Sequence, residues 1–81
     1  MGRRGKIEIY MDILESALDG KGATNLSYRA SLSYVQFQKS LEKLLDRGLL
    51  KIDDKTKLYK TTEHGRKLLK HWKKMERILG A

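Results

Sequence analysis

The sequence predicts an α+β, mainly helical domain: three helices, a two-stranded hairpin and one final helix. Apolar residues recur at helical spacing in three stretches, and two short apolar runs joined by a polar connection separate the last two of them. The length of 81 residues leaves room for one domain, 1–81, and no second. A chain this short buries only about 60% of its unfolded surface, so its core should be small and self-association is expected.

The first helix is expected over Lys6–Asp19, where Ile7, Tyr10, Met11, Ile13, Leu14, Ala17 and Leu18 form one stripe. Gly20 and Gly22 should stop it, glycine being a poor helix continuer. A short second helix is expected over Asn25–Ser31, with Thr24 as N-cap and Leu26 and Ala30 on one face. Ser33 and Gln36 then match a capping box that starts a third helix, 34–47, with Phe37, Leu41, Leu44 and Leu45 turned inward and Gly48 as its stop. Leu49–Asp53 and Lys57–Thr61 read as two strands around Asp54, Lys55 and Thr56. Thr62 should cap the last helix, Glu63–Leu79, with Glu63 in its first turn and Arg77 near its end. Its Leu68, Trp72, Met75 and Leu79 are spaced four, three and four apart, and together with Leu69 they are the expected homodimer contact. Met1–Gly5 and the last two residues fall outside these elements.

Composition narrows the function. Eighteen basic residues against ten acidic ones leave a net charge of +8, which favours a polyanionic partner. The excess is uneven: residues 1–20 are net −1, residues 21–48 +3, residues 49–62 +2 and residues 63–81 +4. The partner should therefore meet the later segments. No cysteine is present, and His64 and His71 stand seven apart without a completing ligand, so neither a disulfide scaffold nor a metal site is expected. There is no phosphate-cradling glycine loop and no serine, histidine and carboxylate at recognisable spacing, so no enzyme and no cofactor is expected. No apolar run reaches the roughly 18–20 residues that span a bilayer, and the opening residues lack a signal-peptide core, so a cytoplasmic, nucleoid-associated location is expected.

Helix, short helix, turn, longer helix, hairpin and final helix is the order of a winged helix-turn-helix domain. The stretch from about Ile7 to Leu69 resembles the small archaeal winged-helix DNA-binding proteins and predicted transcriptional regulators. The resemblance rests on Tyr28, Ala30, Leu32-Ser33-Tyr34, Leu41, Leu44 and Gly48-Leu49-Leu50, then on Tyr59, Thr62 and Gly65 ahead of Leu68-Leu69. Two departures stand out: Thr61 occupies a position where an aliphatic residue is common, and the last helix ends sooner than in relatives with a long C-terminal coiled coil. The resemblance implies the fold, double-stranded DNA as ligand, and a homodimer joined through the last helix.

Geometry leads to the same ligand, because one α-helix fits the major groove of B-DNA and offers its N-terminal side chains to base edges. With the apolar stripe of the third helix inward, Tyr34, Gln36, Gln38, Lys39 and Lys43 project from its other faces. Gln36 and Gln38 suit adenine, Lys39 suits guanine or phosphate, and Lys43 suits the backbone. Val35 is placed to meet a thymine methyl group or to be partly buried. Arg29 and Ser33 are candidate phosphate contacts, Lys55 and Lys57 would sit at the hairpin tip, and Arg3 and Arg4 could form an N-terminal arm. Trp72, though a potential base-stacking platform, lies on the heptad stripe and is assigned to packing. The leading function is a transcriptional regulator that reads the major groove as a homodimer. An architectural, chromatin-type protein of little sequence preference would use the same surfaces. A protein–protein adaptor would want a neutral or acidic third helix, and a membrane-binding last helix would use Lys67, Lys70, Lys73, Lys74 and Arg77.

Overall fold

The computed structural model describes residues 5–30 and 34–80, with the side chains of 29, 30 and 34 left aside. Its elements run α1 (Lys6–Ser16), α2 (Ala23–Ala30), α3 (Tyr34–Asp46), β1 (Leu50–Ile52), β2 (Tyr59–Thr61) and α4 (Glu63–Leu79). This is the mainly helical α+β, winged helix-turn-helix arrangement expected, with β1 and β2 antiparallel in the register Leu50↔Thr61, Lys51↔Lys60 and Ile52↔Tyr59. The core lies where α1, α2 and α3 converge on β1 and α4. Met11, Ile13 and Leu14 of α1 and Ala17 just beyond it meet Leu26, Phe37, Leu41, Leu44, Leu50 and Leu69 there.

The helix boundaries show which ends are set locally. α3 closes in a Schellman motif: Gly48 is left-handed (φ 72°), its N–H donates to Leu45 O at 3.1 Å, and the Leu49 N–H donates to Leu44 O at 3.0 Å. At the start of α4 the Thr62 hydroxyl accepts from the Gly65 N–H at 3.1 Å, so the expected cap is in place. The expected capping box of α3 lies at Ser33, outside the described residues.

Four expectations need correction. α1 ends at Ser16, three residues early, because its last carbonyls are taken from outside the helix. Thr61, only 2% exposed, donates its hydroxyl to Leu14 O at 2.6 Å and its N–H to Ala17 O at 3.0 Å. Thr24 is not the N-cap of α2, which starts at Ala23 with the Leu26 N–H donating to Gly22 O at 3.0 Å. The strands are shorter than 49–53 and 57–61, since the connection closes on itself and Lys57 turns left-handed (φ 61°). Leu69 is 5% exposed in the protein's own core, so it leaves the set of side chains offered to a second copy.

A sheet contact absent from the sequence reading completes the wing. Lys21 pairs with Tyr59 in an antiparallel bridge, with N–H···O distances of 2.9 and 2.7 Å, so the segment after α1 forms a third rung beside β2. Thr62 draws in the α3 corner as well, its N–H donating to Leu49 O at 3.1 Å and its hydroxyl to Gly48 O at 2.7 Å. Gly65 packs directly on that corner: a Cβ there would collide with the Leu49 carbonyl and lie 2.7 Å from Thr61 Cγ2.

Two substitutions test this junction. Gly65→Ala, which by helix propensity should gain about 1 kcal/mol, is expected instead to lose about 1–3 kcal/mol through overpacking. Thr61→Val keeps the shape and deletes the donor, so the buried Leu14 carbonyl loses its partner at a cost of about 1–3 kcal/mol. Urea denaturation should show lower midpoints at unchanged slope, and a parental midpoint for either variant would contradict the packing described.

Candidate nucleic-acid interface

The side of α3 opposite Phe37 carries Val35, Lys39, Glu42 and Asp46, all exposed, at the 100° per residue of an α-helix. Lys39, Lys43 and Arg47 follow at one per turn, and the three cations share a shallow surface hollow with Glu42 and Asp46. Lys39 and Lys43 are thus brought together as a row, and Arg47, which the sequence reading did not single out, extends it. Gln36 is exposed on one flank while Gln38 is half-buried on the other, about 200° away around the helix. The two glutamines therefore do not face one patch of groove floor. Val35 is exposed.

The wing adds a second group of cations. Lys55 and Lys57 are exposed in the connection between β1 and β2 as expected, and Lys51 and Lys60, which the sequence reading passed over, stand directly opposite each other across the two strands. Like charges so placed repel, so this pair destabilises the isolated sheet and is relieved when an anion comes between them. Asp53 organises the tip: its carboxylate accepts from the Lys55 N–H at 3.0 Å and the Thr56 hydroxyl at 3.1 Å. The backbone closes behind it through Lys57 N–H to Asp53 O at 2.7 Å and Asp53 N–H to Leu58 O at 2.9 Å. The Lys55 N–H foremost, and then the Thr56 hydroxyl, hold the Asp53 carboxyl below its ordinary value of 3.8.

On α2, Tyr28 is 86% exposed, two residues and so some 200° around from the buried Leu26. Its hydroxyl is available to a phosphate. The signal was in the spacing from Leu26, but only the packing of α2 shows which face is covered. Ser33, Arg3 and Arg4 lie outside the described residues, and nothing is placed for the side chains of Arg29 and Tyr34.

On the other side of Lys43 and Arg47, an apolar groove of about 430 Å³ opens between α1, the end of α3 and α4. Tyr10, Leu68, Trp72 and Met75 line it, with His71 at its edge. Trp72 is half-buried against the chain's own core. Leu68, Met75 and Leu79 are exposed, Leu79 by 75%. Among the described residues no group of three or more His, Asp or Glu could hold a metal ion, and no helix is long and apolar enough to cross a membrane.

Comparison with known proteins places this geometry. Residues 3–80 match the model of a family described as winged helix-turn-helix. The crystal structure of Sso10a-2, a DNA-binding protein from Sulfolobus solfataricus, superposes with a TM-score of 0.82 at 34% identity, over 95% of this chain and 83% of that one. No curated protein sequence matches.

Because the folded pKa of Asp53 is depressed, its bonds at the wing tip are fully present above pH about 4 and are lost as pH falls through the folded value. The carboxyl carbon of Asp53, followed by NMR, should titrate with a midpoint below 3.8, and Thr56→Ala should raise that midpoint. A midpoint at or above 3.8 would mean that the tip is not organised by this carboxylate in solution.

Proposed function

The chain belongs to the winged helix-turn-helix family, and we propose that it binds double-stranded DNA with the N-terminal half of α3 in the major groove and the wing against the flanking backbone. The observation that carries this is the sequence of exposed cations from Lys39 and Lys43 on α3 and Arg47 just after it to Lys51, Lys55, Lys57 and Lys60 on the wing, in a protein whose first twenty residues are net acidic. Similarity to Sso10a-2, a DNA-binding protein, supports the same ligand. Tyr28, exposed on α2, adds a hydroxyl to this surface, and Arg29, Ser33 and Tyr34 are assigned to phosphate contact by their positions in the sequence. The protein then acts as a transcriptional regulator of the cytoplasm and nucleoid and has no enzymatic role.

A specific observation favours the architectural alternative. Among the described residues, base reading on α3 falls to Val35, Gln36 and Lys39, because Gln38 lies on the opposite, half-buried flank and Glu42 and Asp46 occupy the outward line further along. Few base-edge contacts and many phosphate contacts give tight, weakly selective binding. Gln36→Ala separates the two readings. It should cost about 1–3 kcal/mol on a preferred site and nothing on scrambled duplex if the protein is a regulator. Lys43→Ala should weaken all duplexes alike and flatten the dependence of log K on log salt by about 0.9. Equal losses on preferred and scrambled DNA for both variants would identify the architectural protein, and salt-independent binding would remove the interface altogether.

We further propose a homodimer joined through α4, along Leu68, Trp72, Met75 and Leu79. Exposed Leu68, Met75 and Leu79, with the half-buried Trp72 between them and an open apolar groove beside them, are more apolar surface than an isolated small domain ordinarily leaves in water. A two-fold contact covers both copies at once and presents two α3 helices to one face of DNA. Met75→Glu with Leu79→Glu, both exposed in the protomer, should leave the fold intact and shift sedimentation to a monomer. An unmodified chain that sediments as a monomer at micromolar concentration would defeat the assignment.

A further inference from the structure

α4 carries a second cationic surface that the winged-helix interface does not use. Arg66, Lys67, Lys70, Lys73, Lys74 and Arg77 are all exposed and fall within an arc of about 120° when placed at 100° per residue. They extend roughly 17 Å along the helix, a length over which a duplex presents about ten phosphates. The direction of this stripe follows from the groove. Leu68, His71, Trp72 and Met75 line that groove together with Lys43 and Arg47 of α3, so this is the flank of α4 that looks toward α3. The cationic arc occupies the opposite flank, and its edge on the α1 side is marked by Lys73, which is ion-paired to Glu15 at 2.6 Å.

We infer that this stripe is a second duplex-contacting surface, so that one protomer engages a DNA segment through α3 and the wing and another through the outer side of α4. The inference rests on the DNA-binding reading above. A duplex fits the stripe better than a lipid surface does. An interfacial helix must bury an apolar face beside its cations, whereas Leu69 of α4 is in the core, Trp72 is half-buried in the chain's own packing, and the exposed Leu68, Met75 and Leu79 are the contact assigned above to a second copy. With that contact made, Ile78 is the one large apolar side chain left exposed beside the cations, and such a row is matched to the regular phosphate spacing of nucleic acid. Lysine suits the task because phosphate contact needs charge and reach and no fixed geometry.

The test immobilises one short duplex, loads the full chain, and measures capture of a second, labelled duplex. Lys67→Ala/Lys70→Ala/Lys74→Ala replaces exposed helical residues by the best helix former and leaves the Lys73–Glu15 pair alone. The triple variant should stay on the first duplex while capture falls by about tenfold or more, as expected for the loss of three phosphate contacts. Lys39→Ala/Lys43→Ala should show the reverse order of loss, with weaker retention on the first duplex. Capture by the triple variant equal to the parent's would overturn the inference and assign the second duplex to another protomer's α3. A parent that binds one duplex and captures none would overturn it while the α3 reading stands. A parent that binds no duplex would remove the proposed function itself. Phosphatidylglycerol vesicles are the remaining arm: if the triple variant loses only vesicle binding and keeps capture, the stripe is a membrane surface and the inference fails.

Discussion

Two adjacent threonines hold the architecture together through the carbonyl groups that helix ends leave unbonded. Thr61 fills the end of α1 with its hydroxyl and its N–H, at Leu14 and Ala17. Thr62 bonds the corner after α3 at Gly48 and Leu49 while it caps α4. Every helix leaves its last carbonyls without intrahelical donors, and burying them unbonded costs free energy. A pair of hydroxyls at one point therefore ties α1, the α3 corner, β2 and α4 to one another. Gly65 lets the backbone of α4 close on that point, and a methyl group would hold it off. Where the wing sits relative to α3, and hence the shape of the surface offered to DNA, depends on this junction.

The departure at Thr61 gains its meaning here. An aliphatic residue would fill the same volume and leave the Leu14 carbonyl dry and unpaired, so the hydroxyl replaces packing that a pattern-based reading expects with a bond that only the fold reveals. Among the described residues no buried side-chain nitrogen or oxygen lacks a partner, as a core this small requires.

Charge is arranged against stability and in favour of a ligand. Lys51 faces Lys60 across the wing, Lys39, Lys43 and Arg47 stack along α3, and six cations crowd one side of α4. In the free protein each group repels itself, and counterion release on binding a polyanion turns that repulsion into affinity. One group of acidic residues lies apart from these cations: Glu8, Asp12 and Glu15 of α1 adjoin Glu76 of α4 along the edge of the core, where Lys73 meets them, while Glu42 and Asp46 lie among the cations of α3.

Much of the fold was legible because its decisive signals are local. Gly48 ends α3 through a left-handed φ that glycine adopts without strain, and Thr62 caps α4 with a bond to its own third neighbour. The lysines of α3 and of the wing tip were legible too, since a charged side chain at the surface needs no partner to be recognised. The end of α1, the start of α2, the strand lengths, the Lys21–Tyr59 rung and the burial of Leu69 rather than Leu68 were not. Neither were the exposure of Tyr28, the place of Arg47 beside Lys39 and Lys43, and the Lys51–Lys60 pair. Sequence alone determined the order and kind of the elements and the sign of the charge, because those follow from periodicity, capping and composition within a few residues. Only the tertiary structure decided where α1 stops, which lysines face each other and which leucine is inside, because each depends on hydrogen bonds and contacts between residues distant in the chain, 47 positions apart for Thr61 and Leu14.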